Sequence, residues 1–390
     1  MIRRRPLSYL LIWTSFYDQL AWTPVLVWIA ADVGAPESLA WAATAYSLAN
    51  LFGNMSFGLL SDRLDRYGVA GAGLLAMTAT GLAHLTITTP AMLVGVRFLH
   101  GLAIAAVAPA ALASVADGLP RRQRGEVMAK VGLVIALASM LATSVTGRLV
   151  SKVGMTPSIA GLAALVGLAG GLTLLLRRRV EPARALIRSA EGEPAPTAMN
   201  PAMLGAAALV AFTLMFLQNV LFYAYPLKGR LLGMSPAQIG STLAVFGAGA
   251  ALAFLPPLSR VADRWGRHRP LFVGMLLAGG GLLGLAGGSE APALSASLFV
   301  YGLGFGLVFP AVTALGADAA GQGRRGFAFG LLTAAFSLGS ISSPPITQAL
   351  AHQVSPFTVA GGLALVTGLV TAAWYFLAVR PEARPVGPGV

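Results

Sequence analysis

The sequence predicts an all-α membrane protein with twelve transmembrane helices in two pseudo-symmetric six-helix bundles. Of its 390 residues 56% are hydrophobic and only 11% are charged, whereas soluble domains carry about 25% charged residues. A spanning helix with a short connection takes roughly 30 residues, so the chain has room for about a dozen. Long uncharged stretches in lipid must be helices or closed barrels, and the two-residue alternation of a barrel is absent.

Prolines mark the starts of the helices in order, because the first turn of a helix tolerates a residue without an N–H group. They stand at positions 6, 36, 90, 157, 201, 236, 270, 292 and 356. The first apolar run is longer than a signal-peptide core and lacks a cleavage site, so we expect a retained helix. We predict twelve spans that begin near residues 7, 37, 68, 90, 126, 156, 201, 236, 270, 292, 327 and 356.

Basic residues lie mainly on one side of this arrangement. Segments on the side of the N-terminus hold 21 lysines and arginines, and those on the other side hold 4. The positive-inside rule therefore predicts that both termini lie in the cytoplasm. We expect a multi-pass chain in a bacterial-type cytoplasmic (inner) membrane. The net charge of +13 does not predict nucleic-acid binding, because the arginines sit between apolar runs and not on a soluble face.

An internal repeat divides the chain. Each half holds six spans, an even number, so the two copies enter the membrane from the same side. We predict an N-terminal bundle at 1–176, a cytoplasmic linker at 177–200, a C-terminal bundle at 201–379 and a cytoplasmic tail at 380–390. A shift of 201 residues without gaps pairs Asp62 with Asp263, Arg63 with Arg264, Arg66 with Arg267, Gly101 with Gly302, and Asp117 with Asp318.

A short motif is duplicated in this repeat. Segment 58–66 reads GLLSDRLDR, and segment 259–267 reads SRVADRWGR. Both resemble the G-x-L-x-D-R-x-G-R signature of the major facilitator superfamily, although Asp65 replaces a glycine in the first copy and Ser259 does so in the second. The resemblance covers the whole chain. It implies a transporter without enzymatic activity, whose two halves rock about a central cavity lined by spans 1, 4, 7 and 10.

The motif predicts a conformational latch on the cytoplasmic side. An acid at a helix end can face the positive N-terminus of a helix from the other half, and a neighbouring arginine can pair with an acid. The alternative is that these charges only set topology, since exposed ion pairs are weak. The predicted latch residues are Gly58, Asp62, Arg63, Arg66, Asp117, Asp263, Arg264, Arg267 and Asp318.

One acid is predicted deep in the membrane. Asp18 lies about 17 Å along span 1, near the middle of a core roughly 30 Å thick. Arg97 in span 4 falls at a matching depth, and His100 follows on the same face. Buried acids are costly and usually functional, so we predict that Asp18, Arg97 and His100 couple transport to protons, with Asp18 paired to Arg97. The alternative is a structural ion pair between spans 1 and 4.

The family resemblance adds weight to the coupling role. The arginine of a span-4 R-x-x-x-G element is implicated in coupling there, and residues 97–101 match that element. In the second half the equivalent positions hold Asn219, Leu298 and Tyr301, so coupling is expected in the first half alone.

Aromatic residues concentrate in the second half and suit an apolar or amphipathic ligand. Helix packing or lipid contact is the alternative. The predicted cavity residues are Tyr17, Gln19, Phe212, Phe216, Gln218, Asn219, Phe222, Tyr223, Tyr301 and Phe305.

These features predict a proton-coupled secondary transporter that exports a small lipophilic or amphipathic compound by antiport. The expected partners are that compound, protons and the lipid bilayer, with no nucleic acid, and the protein is expected to be a monomer. No cofactor, metal or catalytic residue is expected, since the chain lacks cysteine, its four histidines are scattered and it has no phosphate-binding loop. Two alternatives stay open: uptake or exchange of an organic anion held by Arg97, and a membrane sensor or receptor without transport.

Overall fold

The computed structural model describes residues 4–116, 121–179, 199–255, 268–319 and 325–375. Within these residues every regular element is a helix, and the helices form twelve consecutive spans. The prediction of an all-α protein with twelve spans is therefore confirmed, and each span begins within five residues of its predicted start. Nine helices of the described chain are long and apolar enough to cross a membrane.

The first half contains spans 1 to 6. Their bounds are Arg4–Ala21 with Thr23–Asp32 for span 1, Ser38–Arg63 for span 2, Arg66–Ala83 for span 3, Pro90–Ala105 with Ala108–Ala116 for span 4, Arg121–Val153 for span 5 and Met155–Leu176 for span 6. Short 3₁₀ turns follow spans 3 and 6, at His84–Thr86 and Arg177–Arg179.

The second half contains spans 7 to 12. Their bounds are Pro201–Leu231, Pro236–Phe254, His268–Gly287, Ala291–Ala319, Arg325–Leu350 and Pro356–Trp374. We call the end of the bundle where span 6 ends and span 7 begins the linker face, and the opposite end the distal face.

Polar caps explain why four helices begin at the residue predicted for them. In each case a polar side chain accepts a backbone N–H of the first turn, and a proline occupies one of the first helical positions, where no N–H is needed. The caps are Thr89 before span 4, Asn200 before span 7, Ser235 before span 8 and Ser355 before span 12.

Spans 1 and 4 are each divided, which the sequence analysis did not predict. Pro24 and Pro109 lack the N–H that would continue the ladder, and the chain bridges both sites with tighter i−3 hydrogen bonds, such as Val25 N to Trp22 O at 3.0 Å. Spans 7 and 10 also contain prolines, Pro226 and Pro310, yet remain continuous. The two halves therefore differ at the helices expected to line the cavity.

The halves meet closely where span 5 packs against span 8. A Cβ atom at Gly147 would collide with the carbonyl of Pro236, and one at Gly240 with the carbonyl of Thr143. Only glycine permits this backbone approach. Nearby, the Ala237 N–H donates to Ser151 Oγ at 3.1 Å.

The second helix of span 1, Thr23–Asp32, joins the halves at the distal face. It packs against spans 7 and 8 of the second half, and its Trp28 ring lies 5.4 Å from the guanidinium of Arg230. The first helix, Arg4–Ala21, packs against spans 4, 5 and 6 of its own half. Contact between the halves through span 1 is therefore made at the distal face.

Candidate functional site

A buried acid–histidine pair joins spans 1 and 4. Asp18 is 2% exposed, His100 is fully buried, and Asp18 Oδ2 lies 2.7 Å from His100 Nε2. Gly101, next to His100, brings span 4 against the backbone of span 2, because a Cβ there would collide with the carbonyl of Tyr46. The helix crossing thus sets the position of the imidazole.

The second nitrogen of this imidazole contacts span 3. His100 Nδ1 lies 2.9 Å from Thr80 Oγ1, and that hydroxyl can donate to Ala76 O at 2.9 Å. When it does, Nδ1–H donates to Thr80, and one further proton is shared between Nε2 and the Asp18 carboxylate. Such a pair is neutral while it holds that proton and negative after releasing it. It has the chemistry of a proton carrier.

The structure gives Asp18 a different ion-pair partner from the predicted Arg97. The Arg97 guanidinium lies 4.2 Å from the centre of the Tyr46 ring, and its Nε and Nη1 have no hydrogen-bond partner among the described residues. Helix rise predicts the depth of a side chain, but the rotation of the helix decides which neighbour it faces. His100, one turn further along span 4, is the residue that reaches span 1.

A second histidine, which the sequence analysis missed, lies beside this pair. The rings of His84 and His100 have their centres 5.6 Å apart, and His84 stacks on Trp22 at 3.9 Å. His84 Nδ1 lies 2.8 Å from the carbonyl oxygen of Thr80. The only signal in the sequence is that both histidines fall in one predicted helical hairpin, spans 3 and 4.

Several polar atoms of this cluster are buried without a hydrogen-bond partner in the described residues. Buried polar groups normally bind protein, water or a ligand, and each such site holds a water only where several polar groups converge. The rings of Trp22, His84 and Tyr46 surround His100, with their centres 5.6, 5.6 and 6.3 Å from its own, so a water bound among them would satisfy several of these atoms. The atoms are Trp22 Nε1, Tyr46 Oη, His84 Nε2, Arg97 Nε and Arg97 Nη1.

Aromatic rings form a continuous series in the second half, which we call the aromatic ladder. Phe246 of span 8, which the sequence analysis did not include, connects three predicted cavity residues: its ring centre lies 5.8 Å from Phe222, 5.0 Å from Tyr301 and 5.6 Å from Phe305. The ladder continues through Phe309, 5.8 Å from Phe305, to Phe336 of span 11. Phe222 and Phe305 are half-buried, and Tyr301 is fully buried.

The other predicted cavity residues occupy varied places. The Asn219 amide donates to Met215 O at 3.1 Å and to Ser340 Oγ at 2.9 Å, and so ties span 7 to span 11. Phe212 packs on Phe216 with ring centres 6.1 Å apart. The partly buried ones include Tyr17, Gln19 and Gln218. Two are buried, Phe216 and Tyr223.

Most predicted latch residues lie outside the described part of the chain. This holds for Asp117, Asp263, Arg264 and Arg267. In span 2 it holds for the surroundings of Gly58 and for the side chains of Asp62 and Arg63. Arg66 opens span 3, and Asp318 is exposed near the end of span 10.

Asp65, where the signature has glycine, is explained by the structure. It is the N-cap of span 3 and accepts the N–H groups of Tyr67 at 3.2 Å and Gly68 at 3.0 Å. A capping acid also complements the positive helix N-terminus. The departure from the signature therefore stabilises the helix that follows.

Comparison with known proteins gives consistent matches. A family model described as the Major Facilitator Superfamily matches residues 9–227 and 207–389. The uncharacterized MFS-type transporter YceJ of Bacillus subtilis (strain 168) is 26% identical over 346 residues, which covers 86% of this chain and 85% of that protein.

Two solved structures share the fold. The human organic anion transporter MFSD10 (TETRAN) has a TM-score of 0.65 at 19% identity, and a mutant form of the nucleoside transporter NupG has a TM-score of 0.75 at 12% identity. Each match covers 95% of this chain and 100% of the other chain.

Proposed function

The chain belongs to the major facilitator superfamily and is a multi-pass membrane transporter, not an enzyme, and we propose that it is a proton-coupled secondary transporter. It exports a small lipophilic or amphipathic compound by antiport, through alternating access between its two bundles at 1–176 and 201–379. It works as a monomer in a bacterial-type cytoplasmic membrane, with both termini and the linker face in the cytoplasm.

The observation that carries this proposal is the buried contact between Asp18 and His100, at 2.7 Å. A charged acid in the membrane core is costly and needs a partner. Held with one shared proton, the pair is neutral; without it, the pair carries a negative charge that favours rearrangement of spans 1 and 4. Because the proton binds on one side of the membrane and is released on the other, proton movement is coupled to movement of the substrate.

The surroundings of the pair supply a route for the proton. His84 and the Thr80 hydroxyl lie on one side, and the polar atoms of Trp22 and Tyr46 that lack a partner in the described residues lie nearby. Water bound to these groups would connect His84 with His100, because a bridging water hydrogen-bonds two groups that are too far apart for a direct bond.

The aromatic ladder supports a lipophilic substrate. Its rings come from spans 7, 8, 10 and 11, and two of them, Phe222 and Phe305, are only half-buried. Aromatic side chains with few polar groups are typical of sites for apolar ligands.

A specific observation favours a second candidate, the transport of an organic anion. Two nitrogens of the buried Arg97, Nε and Nη1, have no hydrogen-bond partner in the described residues, and a guanidinium can bind a carboxylate through two parallel hydrogen bonds. MFSD10, one of the proteins with the same fold, is named as a human organic anion transporter. In this scheme Arg97 binds the substrate, while Asp18 and His100 keep the proton.

A two-stage experiment tests these proposals. A thermal-shift screen of lipophilic dyes, antibiotics and organic anions selects ligands, whose movement is then measured in proteoliposomes with an imposed pH gradient. Uphill movement of a lipophilic compound against a proton flux supports the first candidate. Uphill movement of an organic anion that is lost in the Arg97→Gln variant supports the second. Ligand binding without movement would indicate a sensor, and movement independent of the pH gradient would contradict proton coupling.

A further inference from the structure

A groove in the first half touches the buried site only at Thr80. It has a volume of about 750 Å³ and runs between spans 2, 3 and 4, which we call the span 2–4 groove. Small residues of span 3, among them Ala72 and Ala76, form its floor, and Leu99 and Leu102 of span 4 form a wall. The volume is that of a typical site for a small ligand.

The end of the groove at the linker face is positively charged. Arg177, at the end of span 6, reaches across to the start of span 3, where a Cβ on Gly68 would lie 2.6 Å from its Nη1. Arg178 and Arg179 follow and are exposed. Glycine at position 68 is what allows the guanidinium to lie against the helix at the mouth of the groove.

Asp65 neutralises Arg177 only in part. Their Oδ2 and Nε atoms are 3.9 Å apart, and the side chains are 50% and 37% exposed. The same carboxylate already accepts two backbone N–H groups as the cap of span 3, and exposed ion pairs of this length contribute little. Arg177 is therefore able to bind a further anionic group.

The length of the groove matches a lipid chain. It runs along span 3 from Asp65 to Thr80, about 22 Å at the rise of an α-helix, whereas half of a bilayer core is about 15 Å. An extended hydrocarbon chain that starts at the linker face fits within it. Its deep end is Thr80, the residue whose hydroxyl contacts His100.

We propose that the span 2–4 groove binds an anionic phospholipid, with one acyl chain along spans 3 and 4 and the phosphate on Arg177. The lipid comes from the leaflet at the linker face. A net negative headgroup fits this end because the Arg177 guanidinium, only partly neutralised by Asp65, attracts a phosphate and repels a positively charged choline group. The inference does not depend on proton coupling or on the transported compound.

The test uses the full chain with phosphatidylglycerol and phosphatidylcholine as probes. Native mass spectrometry counts the lipid molecules that stay bound to the protein after detergent exchange. Thermal unfolding measures how much each lipid stabilises the protein. Arg177→Gln removes the headgroup contact, whereas Ala72→Leu and Ala76→Leu fill the groove. The matched controls are Arg178→Gln, an exposed neighbouring arginine, and Ala79→Leu, an exposed alanine of span 3 outside the groove.

We expect the parent protein and both controls to retain one phosphatidylglycerol and to be stabilised more by it than by phosphatidylcholine. Apparent affinity should fall about tenfold in Arg177→Gln, the loss of one charge-assisted contact, and retention should be lost in the filled variants. Equal retention of both lipids by the parent overturns the proposal. So does an equal loss in Arg178→Gln, which would indicate attraction to surface charge alone, or unchanged retention in both filled variants.

Discussion

The two halves cross their helices in the same way and place different side chains at the crossing. In the first half a Cβ at Gly101 would collide with the carbonyl of Tyr46, and in the second a Cβ at Gly302 would collide with that of Phe246. The residue before each glycine is fully buried, but it is His100 in one half and Tyr301 in the other. His100 contacts an acid, whereas Tyr301 packs on a phenylalanine.

This difference shows that the geometry of the helix crossing does not determine the chemical character of the side chain placed there. The glycine sets how closely two helices approach, and so where the neighbouring side chain points. Whether that side chain carries a proton or fills an apolar space depends on its type. The first half holds the buried charges Asp18 and Arg97, and the second holds the uncharged Asn219 and Leu298 at the matching positions.

The largest expected effect comes from making the first half resemble the second at position 18. Asp18→Asn keeps the volume and the hydrogen bond to His100 but cannot release a proton, so uphill transport in a pH gradient should be abolished. Exchange of substrate across the membrane, which needs no net proton movement, should persist in proteoliposomes. The control is Asp32→Asn, an exposed acid at the end of span 1, which should behave as the parent. Uphill transport by the Asp18 variant would contradict the coupling role.

The next effect concerns stability and compares His100→Leu with Tyr301→Leu. Removing His100 leaves the buried Asp18 without its partner, a loss of about 3–5 kcal/mol in the free energy of unfolding. If the carboxylate is the cause, the double variant Asp18→Asn/His100→Leu should recover much of this loss in a double-mutant cycle. Tyr301→Leu removes packing alone, and its effect should be independent of Asp18→Asn. Additive losses for Asp18 and His100 would show that the pair is not coupled.

A smaller effect should be equal in both halves. Gly101→Ala and Gly302→Ala each place a methyl group against a carbonyl of the crossing helix, and such overpacking costs about 1–3 kcal/mol. Thermal unfolding of the two variants in detergent measures this directly, with Gly95→Ala in span 4 as a control, because a Cβ there meets nothing within 4 Å. A large difference between the two glycine variants would mean that the crossings are not equivalent.

The sequence was sufficient to predict the spans but not the side-chain contacts between them. Apolar runs and prolines predicted all twelve starts, because burying a backbone in lipid leaves few alternatives to a helix. They did not predict that His100 and not Arg97 reaches Asp18, that His84 joins them, or that Phe246 completes the ladder. These contacts depend on helix rotation and on packing between spans distant in sequence, for which one sequence carries no periodic signal.

The smallest effect concerns the two copies of the signature motif. Asp62→Asn should remove a favourable contact with a helix N-terminus of about 0.3–1 kcal/mol, and so raise the population open at the linker face about two- to fivefold. The chain has no cysteine, so cysteines introduced at the exposed positions Leu64 and Leu255 are the only sites that take a spin label. The distribution of distances between the two labels reports opening between the halves. Asp263→Asn tests the second copy in the same way. Similar shifts would show that both halves contribute a latch, whereas unchanged distances in both variants would show that these acids only set topology.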